Sequence, residues 1–263
     1  QTPLLVKLLD TAEHLSVQVH PAHDDPELAC GESGKPEAWF IVDREPGAGI
    51  FLGFRDGVTR AAVERCIHGG GALDELMNFV EVEPGDCFEI TAGTPHCIGA
   101  GVTLVEPQLV WPGKRGVTYR FWDWNRRFGS DGRPTPDGQP RTLHLTRSLA
   151  VTRWDVPAGQ AFVESCRREG RYVGCEKSGL VRRRWIDDEH LIVETFEGSG
   201  MQTLSEPQTM STFTCIQGQV EVASEHGGGR IIAGESAVLP AAAGTYTVTG
   251  REARWVSCRS GSE

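Results

Sequence analysis

Paired cysteines, long apolar runs and positive charge are all scarce in this 263-residue chain. Its eight cysteines are scattered from Cys30 to Cys258 with no CxxC spacing. That argues against a disulfide framework or a four-cysteine zinc site, and for free, mostly buried thiols in a reducing compartment. No apolar stretch approaches the ~20 residues needed to cross a bilayer. No secretory signal opens the chain, although it begins at Gln1 without Met. Lys and Arg number 26 against 36 Asp and Glu, and the net charge of −10 disfavours nucleic acid and anionic membrane as partners. The expectation is a soluble cytoplasmic protein, monomer or weak homodimer, acting on a small molecule.

Helical periodicity is scarce too. It is confined to Thr59–Phe79, where Ala62, Val63, Cys66 and Ile67, then Leu73, Leu76 and Met77, recur at helical spacing around the Gly69-Gly-Gly71 break. A short helix over 143–150 is the other candidate. Glycine is plentiful at 32 and proline stands at 15, so turn signals recur about every ten residues, the pattern of short strands joined by tight turns. Residues 128–142 are poor in apolar side chains and rich in Gly, Pro and Asp, which reads as a linker. The expected organisation is a first β domain over 1–127 with a helical insert near 59–79. A connecting segment follows over 128–149, and a second β domain over 150–263.

The informative stretch is Leu15-Ser-Val-Gln-Val-His-Pro21. Strand alternation puts Leu15, Val17 and Val19 on one face and Ser16, Gln18 and His20 on the other. Further on, Glu37, Trp39 and Ile41 share a face of another β-prone run. Gly93-Thr-Pro95 then forms a stiff turn ahead of His96. Gln18, His20, Glu37 and His96 together make a donor set suited to one divalent transition metal. An echo of the third piece lies in the second half. Gly85 is followed by Thr91, Gly93 and His96 at six, eight and eleven residues, and Gly234 by Pro240, Ala242 and Thr245 at the same offsets. Two related β units follow from that, with the imidazole in the first alone.

These spacings resemble the cupin superfamily. Leu15-Ser-Val-Gln-Val-His-Pro21, Gly34-Lys-Pro-Glu37, Ala92-Gly-Thr-Pro-His96 and Thr118-Tyr-Arg120-Phe-Trp-Asp123 look like the motif series of type I mannose-6-phosphate isomerases, in the same order. The family begins earlier, with N-terminal strands this sequence lacks, and the stretch Pro107–Gly116 departs from its usual polar segment. The resemblance implies an all-β fold of two cupin-like barrels and one zinc in the first. It also implies interconversion of mannose 6-phosphate and fructose 6-phosphate. Carried over by position, the zinc ligands are Gln18, His20, Glu37 and His96. Lys35 and Glu106 match charged positions of the cleft, and Arg120 matches a catalytic arginine.

In that chemistry Lys35 assists ring opening or holds an oxyanion, Glu106 shuttles the proton, and Arg120 stabilises an enediolate. The substrate's phosphate needs local cations because the global charge repels it. Lys114 and Arg115 are the nearest candidates beside Arg120, with Ser16 a further substrate contact on the polar strand face. Two other readings use the same residues. One is a sugar-phosphate sensor without turnover, suggested by the altered 107–116 segment. The other is a cupin oxygenase with a redox metal, since fold alone does not fix chemistry.

Overall fold

A computed structural model describes residues 3–173, 178–205 and 209–261. The all-β expectation holds: three large sheets carry most of the described strands, with two further two-stranded pairs beside them. In the first, the order is Leu4–Asp10, Val102–Leu109, Glu37–Arg44, Cys87–Ile90 and Arg167–Arg168. In the second, the order is Tyr119–Trp122, Val17–Val19, His96–Ile98, Gly49–Phe54 and Met77–Glu81. Both are antiparallel throughout.

Period-two alternation explains how the first sheet serves two partners at once. Trp39, Ile41, Phe88, Ile90 and Leu104 point inward and pack with Ile50, Leu52 and Ile98 of the second sheet. Ala38, Phe40, Cys87 and Val105, one residue out of phase, point outward against Ile186, Val193, Val256 and Cys258 of the third. Both faces are dry, so these strands read as nearly continuous apolar runs.

The third sheet is longer-stranded than the sequence suggested. It runs Arg171–Tyr172, Leu180–Asp187, Leu191–Ser205, Thr245–Ser260, Ser211–Ser224 and Gly227–Ile232, with Ser236–Leu239 also on Ser211–Ser224. Gly218 and the stretch around Gly250 lie at bulges inside single strands. Gly218 takes φ +67 and Glu252 φ +47, and the pairing register shifts beside Gln217. A glycine that absorbs an extra residue looks, in sequence, like a turn.

Three helices are present among the described residues. Helix α1 (Arg60–His68) is capped by the Thr59 hydroxyl. The second half of the expected helical insert is instead a 3₁₀ turn, Leu73–Leu76, running into the strand Met77–Glu81, because the triple glycine ends the helix. Helix α2 (Leu145–Val151) falls where expected, and α3 (Gly159–Cys166) was not foreseen. Both pack on the first two sheets, through Leu149 and through Phe162, Val163 and Cys166. The strand Arg167–Arg168 joins the first sheet as well. Residues 145–168 therefore pack with the first two sheets. The segment 128–142 also folds back onto the first unit, through Arg127–Phe128 against Gln139–Pro140 and bonds from Arg141 and Thr142.

The sequence echo has a counterpart in space. Cys87–Ile90 and Ser236–Leu239 each follow a positive-φ glycine (Gly85, Gly234), pair with a central strand of their unit, and turn into the next strand, at His96 and Thr245. The seven described cysteines are all free, five of them buried; Cys175 lies outside the described residues.

One buried charge group ties the third sheet together. Glu194, 1% exposed, accepts hydrogen bonds from Arg182, Arg184 and Arg259 at 2.7, 2.7 and 3.2 Å. Burial works to raise its carboxyl, but the Arg182 guanidinium and its neighbours outweigh that and hold it below the ordinary 4.5. A depressed carboxylate stabilises the fold above its unfolded pKa and loses that contribution as pH falls through the folded value. Urea unfolding should therefore show stability declining below about pH 4.5, with a flatter acid limb in Glu194→Gln. At neutral pH that variant should lose about 3–5 kcal/mol, because the arginines remain buried without their anion.

Candidate metal centre

The strands that carry the polar residues do so on their inward phase. Glu37 precedes Trp39 and Ile41 on the first sheet's inner face, and His20 ends the run begun at Val17. His96 opens the strand paired with it, with Gln18 and His96 opposite one another. His20, Glu37 and His96 are 1%, 1% and 3% exposed. Their donor atoms lie within 4.8 Å of one another, the one such group of three found among the described residues.

Both imidazoles are oriented from behind. The Nδ1–H of His20 donates to the Val117 carbonyl at 3.1 Å, and that of His96 to the Thr94 carbonyl at 2.8 Å. This fixes the tautomer and leaves each Nε2 as a lone-pair donor facing Glu37 Oε1 at 3.4 Å. His20 Nε2 is buried with no hydrogen-bond partner. Three ligands on a small divalent ion at ~2.0–2.2 Å stand ~3.3–3.5 Å apart in tetrahedral geometry, so the spacing fits a metal. Burial lowers both imidazoles, His96 to about 3, which keeps them neutral as ligation requires.

Glu37 is the hub. Burial alone would raise its carboxyl, but the Lys35 ammonium beside it holds it well below the usual range. Its second oxygen accepts from Gln108 Nε2 at 2.7 Å and faces Lys35 Nζ at 3.1 Å. The Lys35 stem lies against Gly116, where a Cβ would come within 3.2–3.3 Å of it. Gln18 spends its amide N–H on the Ser16 hydroxyl at 3.1 Å, which leaves its oxygen as the acceptor end. Ser16 is thereby buried behind Gln18.

Beside the hub, Glu106 is buried and accepts from Lys7 Nζ at 2.5 Å and Trp39 Nε1 at 3.3 Å. Burial and then the Glu37 charge raise its carboxyl, against the pull of Lys7. Arg120 pairs with Gln18 across the second sheet and so shares its face. Its Nη1 donates to the Thr142 carbonyl, and its buried Nε has no partner.

The structure thus gathers Gln18, His20, Lys35, Glu37, His96, Glu106 and Arg120. Lys114 follows an exposed turn and Arg115 opens a two-residue strand paired with Glu32–Ser33, its guanidinium on Glu32; among the described residues no hydrogen bond or ion pair joins either to the cluster. Two residues escaped the sequence reading. Lys7 sits directly opposite Glu106, and Gln108 directly opposite Glu37. Gln108 had a signal: Leu104, Glu106 and Gln108 alternate on one strand face. Lys7 had little, because its run of leucines reads as plain core.

No family model matches the chain. The mannose-6-phosphate isomerase ManA of Bacillus subtilis (strain 168) is 37% identical over 157 residues, 59% of this chain and 45% of that protein. The chain thus spans about half the length of that curated relative. Among solved structures, the mannose 6-phosphate isomerase from Bacillus subtilis superposes with a TM-score of 0.78 at 23% identity, covering 98% of this chain and 75% of that one. A zinc-bound mannose 6-phosphate isomerase gives a TM-score of 0.68 at 14% identity, covering 99% and 79%. The chain has the cupin fold of the phosphomannose isomerases, and it is similar in sequence to mannose-6-phosphate isomerases over more than half its length.

Proposed function

We propose that this chain is a zinc-dependent aldose–ketose isomerase that interconverts mannose 6-phosphate and fructose 6-phosphate. The observation that supports it most is the buried His20–Glu37–His96 cluster with Lys35, Glu106 and Arg120 ranged beside it. Gln18, His20, Glu37 and His96 would hold the zinc, which supplies Lewis acidity toward the oxygens of the two carbons that exchange the carbonyl.

The chain's own residues account for the proton movements. Lys35, an ammonium donor at the mouth of the cluster, delivers a proton to the ring oxygen as its bond to C1 breaks, and takes back the anomeric hydroxyl proton as the C1 carbonyl forms. Glu106 takes the proton from C2 of the aldose and returns one to C1, while the hydroxyl proton moves between O2 and O1. Burial and the Glu37 charge raise its carboxyl, which favours a group that must hold the proton between the two transfers. Arg120 offers charge-assisted hydrogen bonds to the enediolate that forms between the two transfers. Gln108 and Lys35 hold the outer oxygen of Glu37, so that its inner oxygen faces the imidazoles.

Chelator-stripped protein should form no fructose 6-phosphate in a coupled assay, and zinc should restore it. Glu37→Gln and His96→Ala should lose metal and turnover together. Iron-dependent oxygen uptake would reassign the chain to an oxygenase; sugar-phosphate binding by zinc-loaded protein without turnover would reassign it to a sensor. Gln108→Leu should lower zinc affinity by about 10–100-fold in chelator competition, because it frees the Glu37 carboxylate to rotate. An unchanged affinity would remove Gln108 from the metal's support.

A further inference from the structure

The segment that reads as a linker ends on Arg120. His144 N–H donates to the Arg120 carbonyl at 2.8 Å, and the Arg120 N–H donates back to His144 Nδ1 at 3.0 Å. Arg120 Nη1 reaches the Thr142 carbonyl at 3.0 Å. One residue earlier, Arg141 grips the buried Asp123 with two bonds, at 2.6 and 2.7 Å, and its guanidinium lies 4.8 Å from the Phe128 ring. Arg126 holds the same carboxylate at 2.5 Å. Helix α2 starts immediately after His144 and packs on the strand that carries Arg120.

Tyr119–Trp122 is the edge strand of the second sheet. At Arg120 that edge faces no further strand; its backbone donor and acceptor are both taken by His144. An edge strand left open there would let the chain breathe at the residue whose side chain shares the metal-bearing face. The strap closes that edge, anchors one guanidinium nitrogen, and leaves the buried Nε unspent.

We propose that residues 141–144 form a positioning strap for Arg120, with His144 and Arg141 as positioning residues that aim its guanidinium at the anionic oxygens of the substrate. The inference rests on the isomerase reading for its substrate, and on geometry alone for the strap. Because Nδ1 of His144 is the acceptor, its tautomer is fixed with the proton on Nε2. Asparagine can place an amide oxygen near the position of that Nδ1. Glutamine carries its oxygen farther out, and leucine has none.

The test is a cycle of Arg120→Gln, His144→Leu and the double variant in full-length, zinc-loaded protein, with His144→Asn and His144→Gln alongside. His144→Leu should lower kcat by on the order of tenfold to a hundredfold, as misplacement by about an ångström does, with zinc content unchanged. His144→Asn should recover most of that loss and His144→Gln little of it. In the Arg120→Gln background His144→Leu should cost nothing further. Equal losses in both backgrounds, or no loss with Arg120 present, would overturn the strap. Should His144→Leu fail to fold, His144→Gln takes its place in the cycle.

A second readout is independent of turnover. The Arg120 Nε–H resonance, assigned by its disappearance in Arg120→Gln, should be sharp and slowly exchanging in the parent. It should broaden in His144→Leu and return in His144→Asn. If the parent shows no turnover but that resonance responds to His144, the isomerase reading fails and the strap stands. A resonance indifferent to His144 overturns the strap whatever the turnover.

Discussion

A fully buried carboxylate must be neutralised where it stands, and Glu37 sets that demand on everything around it. Removing such a charge from water costs several kcal/mol even after relaxation, so each of its lone pairs needs a partner. One oxygen meets Gln108 and Lys35; the other meets two imidazoles whose protons are turned away toward backbone carbonyls. Neutral nitrogens ringed around a carboxylate oxygen do not satisfy it, and His20 Nε2 satisfies nothing either. A cation placed between the three supplies what all of them lack. The site therefore makes electrostatic sense as a metal centre and little sense as a plain polar core.

That arrangement depends on strands that keep one phase over their whole length. Val102–Leu109 passes from apolar core to site without changing faces: Val102 and Leu104 pack inward, and Glu106 and Gln108 continue the same side. Its opposite phase, Val105 and Leu109, packs toward the third sheet. A single-residue slip would exchange the two sets and bury the site's polar groups in the interface between sheets. Packing against the third sheet thus fixes the register that aims Glu106 and Gln108. The second unit contributes to the site in this way although none of its own residues approaches a metal cluster among those described.

How much of this the sequence discloses depends on whether the signal is local. His20, Glu37 and His96 stand out because each occupies a polar position in a run whose opposite phase is apolar, and because Pro95 and Gly93 stiffen the last approach. Gln108 was legible by the same alternation but lay in a stretch judged by its oddities. Lys7 was hidden, since its role exists only once Leu4–Asp10 pairs with Val102–Leu109, almost a hundred residues away. Strand lengths in the second unit failed for the opposite reason: glycines that mark turns in short strands are bulges in long ones. Residues 128–142 read as a linker because polar composition reports exposure, and an exposed strap is as polar as a tether.

An acidic chain proposed to accept a phosphorylated sugar must overcome its own field. Overall charge is −10, which repels a phosphate at long range. Within the site, however, Glu37 is matched by Lys35, and Glu106 by Lys7. The four side chains sum to zero, the imidazoles are neutral, and Arg120 adds one positive charge that no carboxylate among the described residues contacts directly. A divalent ion adds two more. Long-range repulsion is screened within about 8 Å at physiological salt, whereas the local field acts in a region largely shielded from water. With such an ion bound, the site would be strongly positive over the last few ångströms. On the proposed reading, the cations that would meet the phosphorylated sugar in that region are the ones the fold has already paired or strapped in place.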